Sequence, residues 1–144
     1  MSSTPNSQLI TNWLAFTNIQ TKITNELESV LQTNHQLSLK EFYVLLFLSE
    51  APEKKLKLHQ LQNMVGLSQS AMSRLVSRFE ARGCGVLKRH ICVDDRRAIY
   101  TSLTKEGEEK LERAYSTLNE ALEKIFSTGT VQQEMEQHIR NFHP

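Results

Sequence analysis

The chain has 144 residues, of which 39% are hydrophobic, and it carries 17 basic and 16 acidic side chains. This length suits one domain with its own hydrophobic core, and no apolar run approaches the ~18 residues of a membrane-spanning helix. Because the polar N-terminus also lacks a signal-peptide pattern and only two cysteines are present, we expect a cytoplasmic protein without a membrane partner or a disulfide scaffold.

The charges are unevenly distributed, although the net charge is only +1. Residues 68–97 carry a net charge of +4, and the rest of the chain carries −3. A local excess of basic side chains attracts anionic partners such as nucleic acid. The alternative is a chance excess of basic residues on a solvated surface. The secondary structure predicted for this segment distinguishes these two interpretations.

The first third of the chain predicts two helices. Between Ser7 and about Thr33, apolar residues recur at helical spacings, which predicts a long amphipathic helix. Ser38 and Glu41 have the spacing of a capping box and predict the start of a second helix, which ends near Pro52. The almost wholly apolar run of residues 42–48 predicts that this second helix lies at the centre of the core.

The next segment predicts a helix-turn-helix. Leu58, Leu61 and Val65 have the spacing of a short helix, and Gly66 supplies the turn after it. Ser68 is a natural N-cap for the helix that follows. A helix, a tight turn containing glycine and a second helix are the parts of this motif.

The second helix of the motif, predicted over residues 68–82, has two unlike faces. An apolar stripe contains Met72, Leu75, Val76 and Phe79. The opposite face carries small or basic residues, namely Ser70, Ser73, Arg74, Ser77 and Ala81, with Arg78 at its edge. Such a face can approach another surface closely, donate hydrogen bonds and attract negative charge. A helix lying in a DNA major groove needs these properties.

Two β-rich runs follow, residues 86–93 and 98–103, and they flank the polar sequence Asp94-Asp95-Arg96-Arg97. This pattern predicts a hairpin with two adjacent arginines at its tip. Residues 56–58 predict a short strand that pairs with it. A helix-turn-helix followed by a basic hairpin is a winged helix, so the predicted fold class is mainly α with a small β-hairpin wing.

The last part of the chain predicts two further helices. Thr104 caps the first, and Gly129 ends it at a C′ position. The terminal helices present more apolar surface than one small domain can cover, which indicates a partner, and Leu118 is expected in that contact. The alternative is that these helices only pack on the winged helix of the same chain.

The order of motifs resembles the MarR family of bacterial transcriptional regulators. In the helix-turn-helix, the resemblance depends on Leu58, Leu61, residues 66–70, residues 74–76 and Glu80. After it, the resemblance depends on Asp95-Arg96-Arg97 in the wing and on the Leu-Thr-x-x-Gly motif of residues 103–107. It covers essentially the whole chain, and the last two motifs make it more specific than a helix-turn-helix alone. One departure is the connection of residues 82–85, which is longer than the usual one in the family.

The resemblance implies a homodimeric, sequence-specific regulator, more often a repressor, that binds double-stranded DNA at an inverted repeat. It divides the chain into an N-terminal dimerisation helix (1–37), a winged helix-turn-helix (38–103) and C-terminal dimerisation helices (104–144). It also implies that Arg97 enters the minor groove while Arg96 lies towards phosphate. Asp95 has the wrong charge for DNA, and its expected role is to hold an arginine.

The predicted DNA-binding residues all lie on the second motif helix or the wing: Ser68, Gln69, Ser70, Ser73, Arg74, Ser77, Arg78, Lys88, Asp95, Arg96 and Arg97. Gln69 and Ser70 lie at the helix N-terminus, where they can reach base edges and phosphates. We expect Arg74 to contact a base or phosphate and Arg78 to contact phosphate, whereas Ser73 or Ser77 alternatively only face solvent. Lys88 and its neighbour Arg89 point to opposite strand faces, so only one is expected to touch DNA.

Other sites are weaker hypotheses. The resemblance implies release from DNA by a small aromatic effector, and Trp13, Phe16, Phe42 and Tyr43 are candidates to line its pocket, although a core role is the default for all four. Cys84 and Cys92 are either redox-sensing or structural cysteines. His90 and Cys92 share a strand face but make a poor metal site, and no metal or other cofactor is expected.

No catalytic motif is present, so an enzyme is not expected. Two alternatives to the DNA-binding regulator stay open. One is a winged helix that binds protein instead of DNA, and the other is a regulator that responds to redox state through its cysteines. The basic, small-residue face of the second motif helix and the wing arginines favour DNA.

Overall fold

The structure is a computed structural model that describes residues 5–81, 85–91 and 99–142. Within these ranges it is mainly helical with one small antiparallel sheet, which confirms the predicted fold class. The elements in chain order are α1 (Pro5–His35), α2 (Leu39–Glu50), β1 (Lys55–Lys57), α3 (Leu58–Val65), α4 (Gln69–Ala81), β2 (Leu87–Ile91), β3 (Ile99–Leu103), α5 (Lys105–Ser127) and α6 (Thr130–Arg140). None of the helices described is long and apolar enough to cross a membrane.

The predicted capping box starts α2. The Ser38 amide donates to Glu41 Oε1 at 2.7 Å, and the Glu41 amide donates to Ser38 Oγ at 3.0 Å. The apolar run that follows is buried, with Phe42 and Leu45 at the centre of the core. The helix-turn-helix, the sheet and α5 all pack on α2, so this helix is covered on several sides.

The turn between α3 and α4 has the predicted geometry. Gly66 adopts φ +79°, a left-handed conformation that disfavours other residues, and its amide donates to the Gln62 carbonyl at 2.9 Å. Ser68 then caps α4, since its Oγ accepts a hydrogen bond from the Ala71 amide at 3.2 Å. Met72 and Phe79 on the apolar side of α4 are buried, so the opposite face is directed outward.

The sheet has strand order β1-β3-β2, and all pairings are antiparallel. The first strand is shifted by one residue from the prediction, because Leu58 is already the first residue of α3. Strand β3 is central, with Thr101 opposite Leu56 on one side and opposite Arg89 on the other. The predicted tip of the hairpin lies outside the described residues.

The Leu-Thr-x-x-Gly motif joins the wing to α5. Thr104 caps α5 by accepting from the Gly107 amide at 3.1 Å, and its own amide donates to the Val86 carbonyl at 3.1 Å. A Cβ atom on Gly107 would clash with that same Val86 carbonyl. The motif therefore lets the first turn of α5 approach the base of the wing.

Helices α5 and α6 pack along α1. Leu118 is 8% exposed and belongs to the core within one chain, so its expected place in the dimer contact is wrong. The buried Asn12 connects the other end of α1 to α6, because its Nδ2 donates to the His138 carbonyl at 2.8 Å. Gly129, at φ +76°, separates α5 from α6 at the predicted position.

Candidate nucleic-acid interface

The outward face of α4 carries the small, polar and basic side chains that the sequence pattern predicts. Gln69, Ser70, Arg74 and Ser77 are exposed, and Ser73 is half-buried. Because the apolar stripe of this helix is buried in the core, the polar face is directed outward. The N-terminal turn of α4 also presents backbone amides that have no acceptor within the helix.

Arg74 places a cation at the middle of this face. Its Nε lies 3.4 Å from the Ser70 carbonyl one turn earlier, which directs the side chain along the helix towards its N-terminus. None of the ion pairs among the described residues includes Arg74. Its charge is therefore available to a phosphate or to the acceptor atoms of a base.

Arg78 differs from Arg74 because it has a partner inside the protein. Its guanidinium forms an ion pair with the carboxylate of Glu41 on α2. Glu41 is buried, while the Arg78 side chain is 46% exposed. The sequence pattern predicts a phosphate contact for Arg78, but the structure places its charge against a buried carboxylate. The sequence reasoning did not identify Glu41 as part of this region.

Lys88 and Arg89 separate as strand alternation predicts. Arg89 points to α4, where its Nε lies 2.6 Å from Glu80 Oε1 and its Nη2 donates to Ser77 Oγ at 2.9 Å. Lys88 is exposed on the other face of the strand and has no ion pair among the described residues. Arg89 thus connects the wing to α4. It also donates to the Ser77 hydroxyl, which the sequence pattern predicts to face DNA.

The outward face of the sheet is basic and carries one aromatic ring. Lys55 and Lys57 lie over the Tyr100 ring, with their Nζ atoms 4.9 and 5.7 Å from its centroid. His90 Nε2 lies 2.7 Å from Ser102 Oγ on the neighbouring strand. No group of metal-ligating side chains occurs among the described residues, and Cys92, the suggested partner of His90, lies outside them.

Several predicted functional residues lie outside the described residues: Cys84, Cys92, Asp95, Arg96 and Arg97. The minor-groove role of the wing arginines and the redox role of the cysteines therefore stay predictions. The base of the wing is described on both strands.

The four aromatic residues suggested for an effector pocket lie in two separate clusters. Trp13 and Phe16 stack with centroids 6.3 Å apart, while Phe42 and Tyr43 are 6.2 Å apart around the core of α2. Along α1, Phe16 lies 12 residues before Glu28, whose Oε2 accepts from the Leu39 amide at the start of α2, and this separation corresponds to about 18 Å. The two pairs thus lie at different positions along α1, and their place in an effector pocket stays a prediction.

A groove of about 430 Å³ does lie between α2 and α5, where the winged helix meets the long C-terminal helix. Its lining combines apolar and charged side chains: Leu46, Ser49, Glu50, Lys54, Glu108, Leu111, Glu112 and Tyr115. None of the four predicted aromatic residues belongs to it.

Comparison with known proteins agrees with this architecture. The MarR family model matches residues 35–98, from the end of α1 to the hairpin. No curated protein sequence matches the chain significantly. The fold is similar to that of Sco3205, a MarR family transcriptional regulator from Streptomyces coelicolor solved in complex with DNA, with 24% identity, a TM-score of 0.77 and coverage of 99% of this chain and 88% of that one.

Two further solved structures share the fold. AbsC, a MarR family transcriptional regulator from Streptomyces coelicolor, is 21% identical with a TM-score of 0.77, and the match covers 100% of this chain and 94% of that one. The transcriptional regulator BldR from Sulfolobus solfataricus is 22% identical with a TM-score of 0.73, covering 99% and 97%. The family model thus matches the winged helix-turn-helix of this chain, and the solved structures share its fold from the first helix to the last, so the chain is similar to MarR family transcriptional regulators.

Proposed function

We propose that the protein is a DNA-binding transcription regulator that places α4 in the major groove. The observation that carries this proposal is the outward face of α4, with its exposed hydroxyls and amide and the guanidinium of Arg74, which has no ion pair among the described residues. Glu80 is the one acidic side chain of α4, and its charge is paired with Arg89. The fold is also similar to that of a regulator solved in complex with DNA, which supports DNA binding.

The second part of the proposal is a homodimer. Apolar side chains on the first half of α1 are exposed, with Ile10, Trp13 and Leu14 at 61%, 54% and 59%. These three residues share one helix face by their spacing, and Ile139 on the neighbouring α6 is 49% exposed. A second copy of the chain would cover this surface and present two α4 helices to an inverted repeat.

The third part of the proposal is a contact between the wing and DNA. We propose that Arg97 enters the minor groove and that Arg96 contacts the backbone, since a narrow A·T-rich groove concentrates negative potential. Lys88, exposed and unpaired among the described residues, adds a phosphate contact on the same strand that leads to the wing tip. This arrangement gives base readout by α4 and shape readout by the wing.

The direction of regulation and its control follow the family resemblance. We propose repression, relieved by a small molecule that binds between the dimerisation helices and the winged helix. The groove between α2 and α5 lies at that junction. A ligand there would act by changing the position of the winged helix relative to α5.

A gel-shift titration on the DNA upstream of the protein's own gene, with excess unrelated DNA as competitor, tests the proposal. Tight, competitor-resistant binding with a steep salt dependence is expected, and a footprint would give the operator. If binding to that DNA equals binding to random DNA, the titration is repeated on sequences selected from a random pool. Failure of both favours the alternative in which the winged helix binds protein.

A further inference from the structure

The first turn of α2 contacts the helices on both sides of it in the chain. At its beginning, the Leu39 amide donates to Glu28 Oε2 of α1 at 3.1 Å. One residue later, Lys40 Nζ donates to the Val65 carbonyl at 2.8 Å. That carbonyl is at the end of α3, where helix carbonyls lack partners and a cation is favourable.

Glu41, the next residue, extends this set of contacts to α4. Its Oε1 accepts from the Ser38 amide at 2.7 Å, and its Oε2 faces the guanidinium of Arg78. Both oxygens of a buried carboxylate are thus occupied, one by its own helix and one by α4. Removal of either partner would leave buried charge without its hydrogen bond, which is costly.

These contacts converge on a few consecutive residues. Residues 38–41 are held by Glu28 of α1 on one side and hold the end of α3 and the last turn of α4 on the other. Helix α1 carries the apolar surface proposed for the dimer, and α4 carries the surface proposed for DNA. The spacing of the two α4 helices in a dimer therefore depends on this turn.

We propose that the first turn of α2 is the joint that fixes the orientation of α4 relative to α1, with Lys40 and Glu41 as positioning residues. In this arrangement the Arg78 guanidinium is paired with Glu41 and does not contact a DNA phosphate. The inference rests on the proposed function, because operator affinity reports the orientation of α4. A change of this orientation would displace base contacts in both half-sites.

The test is a double-mutant cycle of Glu41→Gln and Arg78→Gln. Glutamine at position 41 can still accept from the Ser38 amide, as in many capping boxes, so the helix start is preserved while the ion pair is lost. Each single variant should bind the operator about five- to tenfold more weakly, and the double variant no more weakly than the worse single one. The slope of log affinity against log salt should stay at the wild-type value in Arg78→Gln.

Glu123→Gln is the matched control, since it neutralises an exposed carboxylate on α5 that accepts from Asn119 Nδ2 at 3.2 Å and does not line the groove between α2 and α5, so it should leave operator binding unchanged. A salt slope lower by about one unit in Arg78→Gln, with wild-type affinity in Glu41→Gln, would overturn the proposal and make Arg78 a phosphate contact.

Amide hydrogen exchange without DNA separates this inference from the proposed function. Glu41→Gln and Lys40→Met should both speed exchange in α4 while α5 exchanges at its wild-type rate. Unchanged exchange in α4 would overturn the joint even if the wild-type protein binds its operator. Faster exchange in α4 with no operator binding by the wild type would retain the joint and reject the DNA-binding role.

Discussion

Arg89 on β2 lies between Glu80 and Ser77 of α4, with its Nε 2.6 Å from the Glu80 carboxylate. This ion pair connects the strand that leads to the wing tip with the helix proposed to read the major groove. Both side chains are partly exposed, at 38% for Arg89 and 30% for Glu80, so the contact contributes little to global stability. We expect its effect to be on the angle between the two elements that we propose contact DNA.

Replacement of Arg89 by glutamine should therefore weaken operator binding without changing the fold. We expect an affinity about three- to tenfold lower and an unfolding free energy within about 0.5 kcal/mol of wild type. Lys88→Gln is the comparison, because that side chain faces away from α4 and should lower the salt slope by about one unit if it neutralises a phosphate. Wild-type affinity in the Arg89 variant would show that the wing angle does not depend on this contact.

Arg97→Ala tests the role of the wing tip. A minor-groove arginine contributes both charge and shape readout, so the variant should bind the operator more weakly and lose about one unit of salt slope. The loss should be largest on operators with an A·T-rich segment at the wing position. Unchanged affinity and slope would contradict the wing assignment.

Leu14→Asp tests the homodimer. The side chain is 59% exposed in one chain, so a carboxylate there should not disturb the monomer fold. We expect the dimer dissociation constant, measured by sedimentation equilibrium, to rise about tenfold to a hundredfold. Leu118→Asp is the contrasting variant, and it should lower the unfolding free energy by more than about 3 kcal/mol because Leu118 is buried in the core. A Leu14→Asp variant that dimerises normally would place the interface elsewhere.

Gly107→Ala tests the joint between the wing and α5. The added methyl group would meet the backbone carbonyl of Val86, which cannot rotate away as a side chain would. Thermal or urea unfolding should show a loss of about 1–3 kcal/mol. Stability equal to wild type would indicate that α5 can shift away from the wing at little cost.

His35 should make stability depend on pH. Burial lowers the pKa of His35 from its ordinary value of 6.5, and the nearby charges of Lys110 and Arg113 lower it further. Its Nε2 lies 2.6 Å from Thr117 Oγ1, at the contact of α1 with α5. Because the unfolded chain binds the proton more readily, this contribution is fully present above pH 6.5 and decreases as the pH falls through 6.5 towards the lowered pKa.

Urea unfolding of wild type and His35→Gln between pH 5 and pH 8 measures this effect. The free-energy difference between the two proteins should shift in favour of the variant as the pH falls below 6.5. Every other ionisable side chain is the same in both proteins, so its contribution cancels in the comparison. A difference independent of pH would mean that His35 titrates at the same pKa in the folded and unfolded chains.

Much of the fold was predictable because its signals are local. The capping box of Ser38 and Glu41, the left-handed turn at Gly66 and the caps at Ser68 and Thr104 each depend on a few neighbouring residues. The partner of Arg78 is 37 residues away in the chain, and no local pattern indicates it. Likewise, an amphipathic stripe shows that Leu118 is covered but cannot show whether its own chain or a second copy covers it.

The most direct test of the central claim is the effect of Arg74→Ala on sequence discrimination. Affinities of wild type and variant are measured by fluorescence anisotropy for the operator and for a scrambled duplex at the same salt concentration. If α4 reads bases in the major groove, the variant should lose about tenfold or more of the operator preference. An unchanged ratio of the two affinities, with wild-type operator binding, would contradict the placement of this face of α4 against DNA.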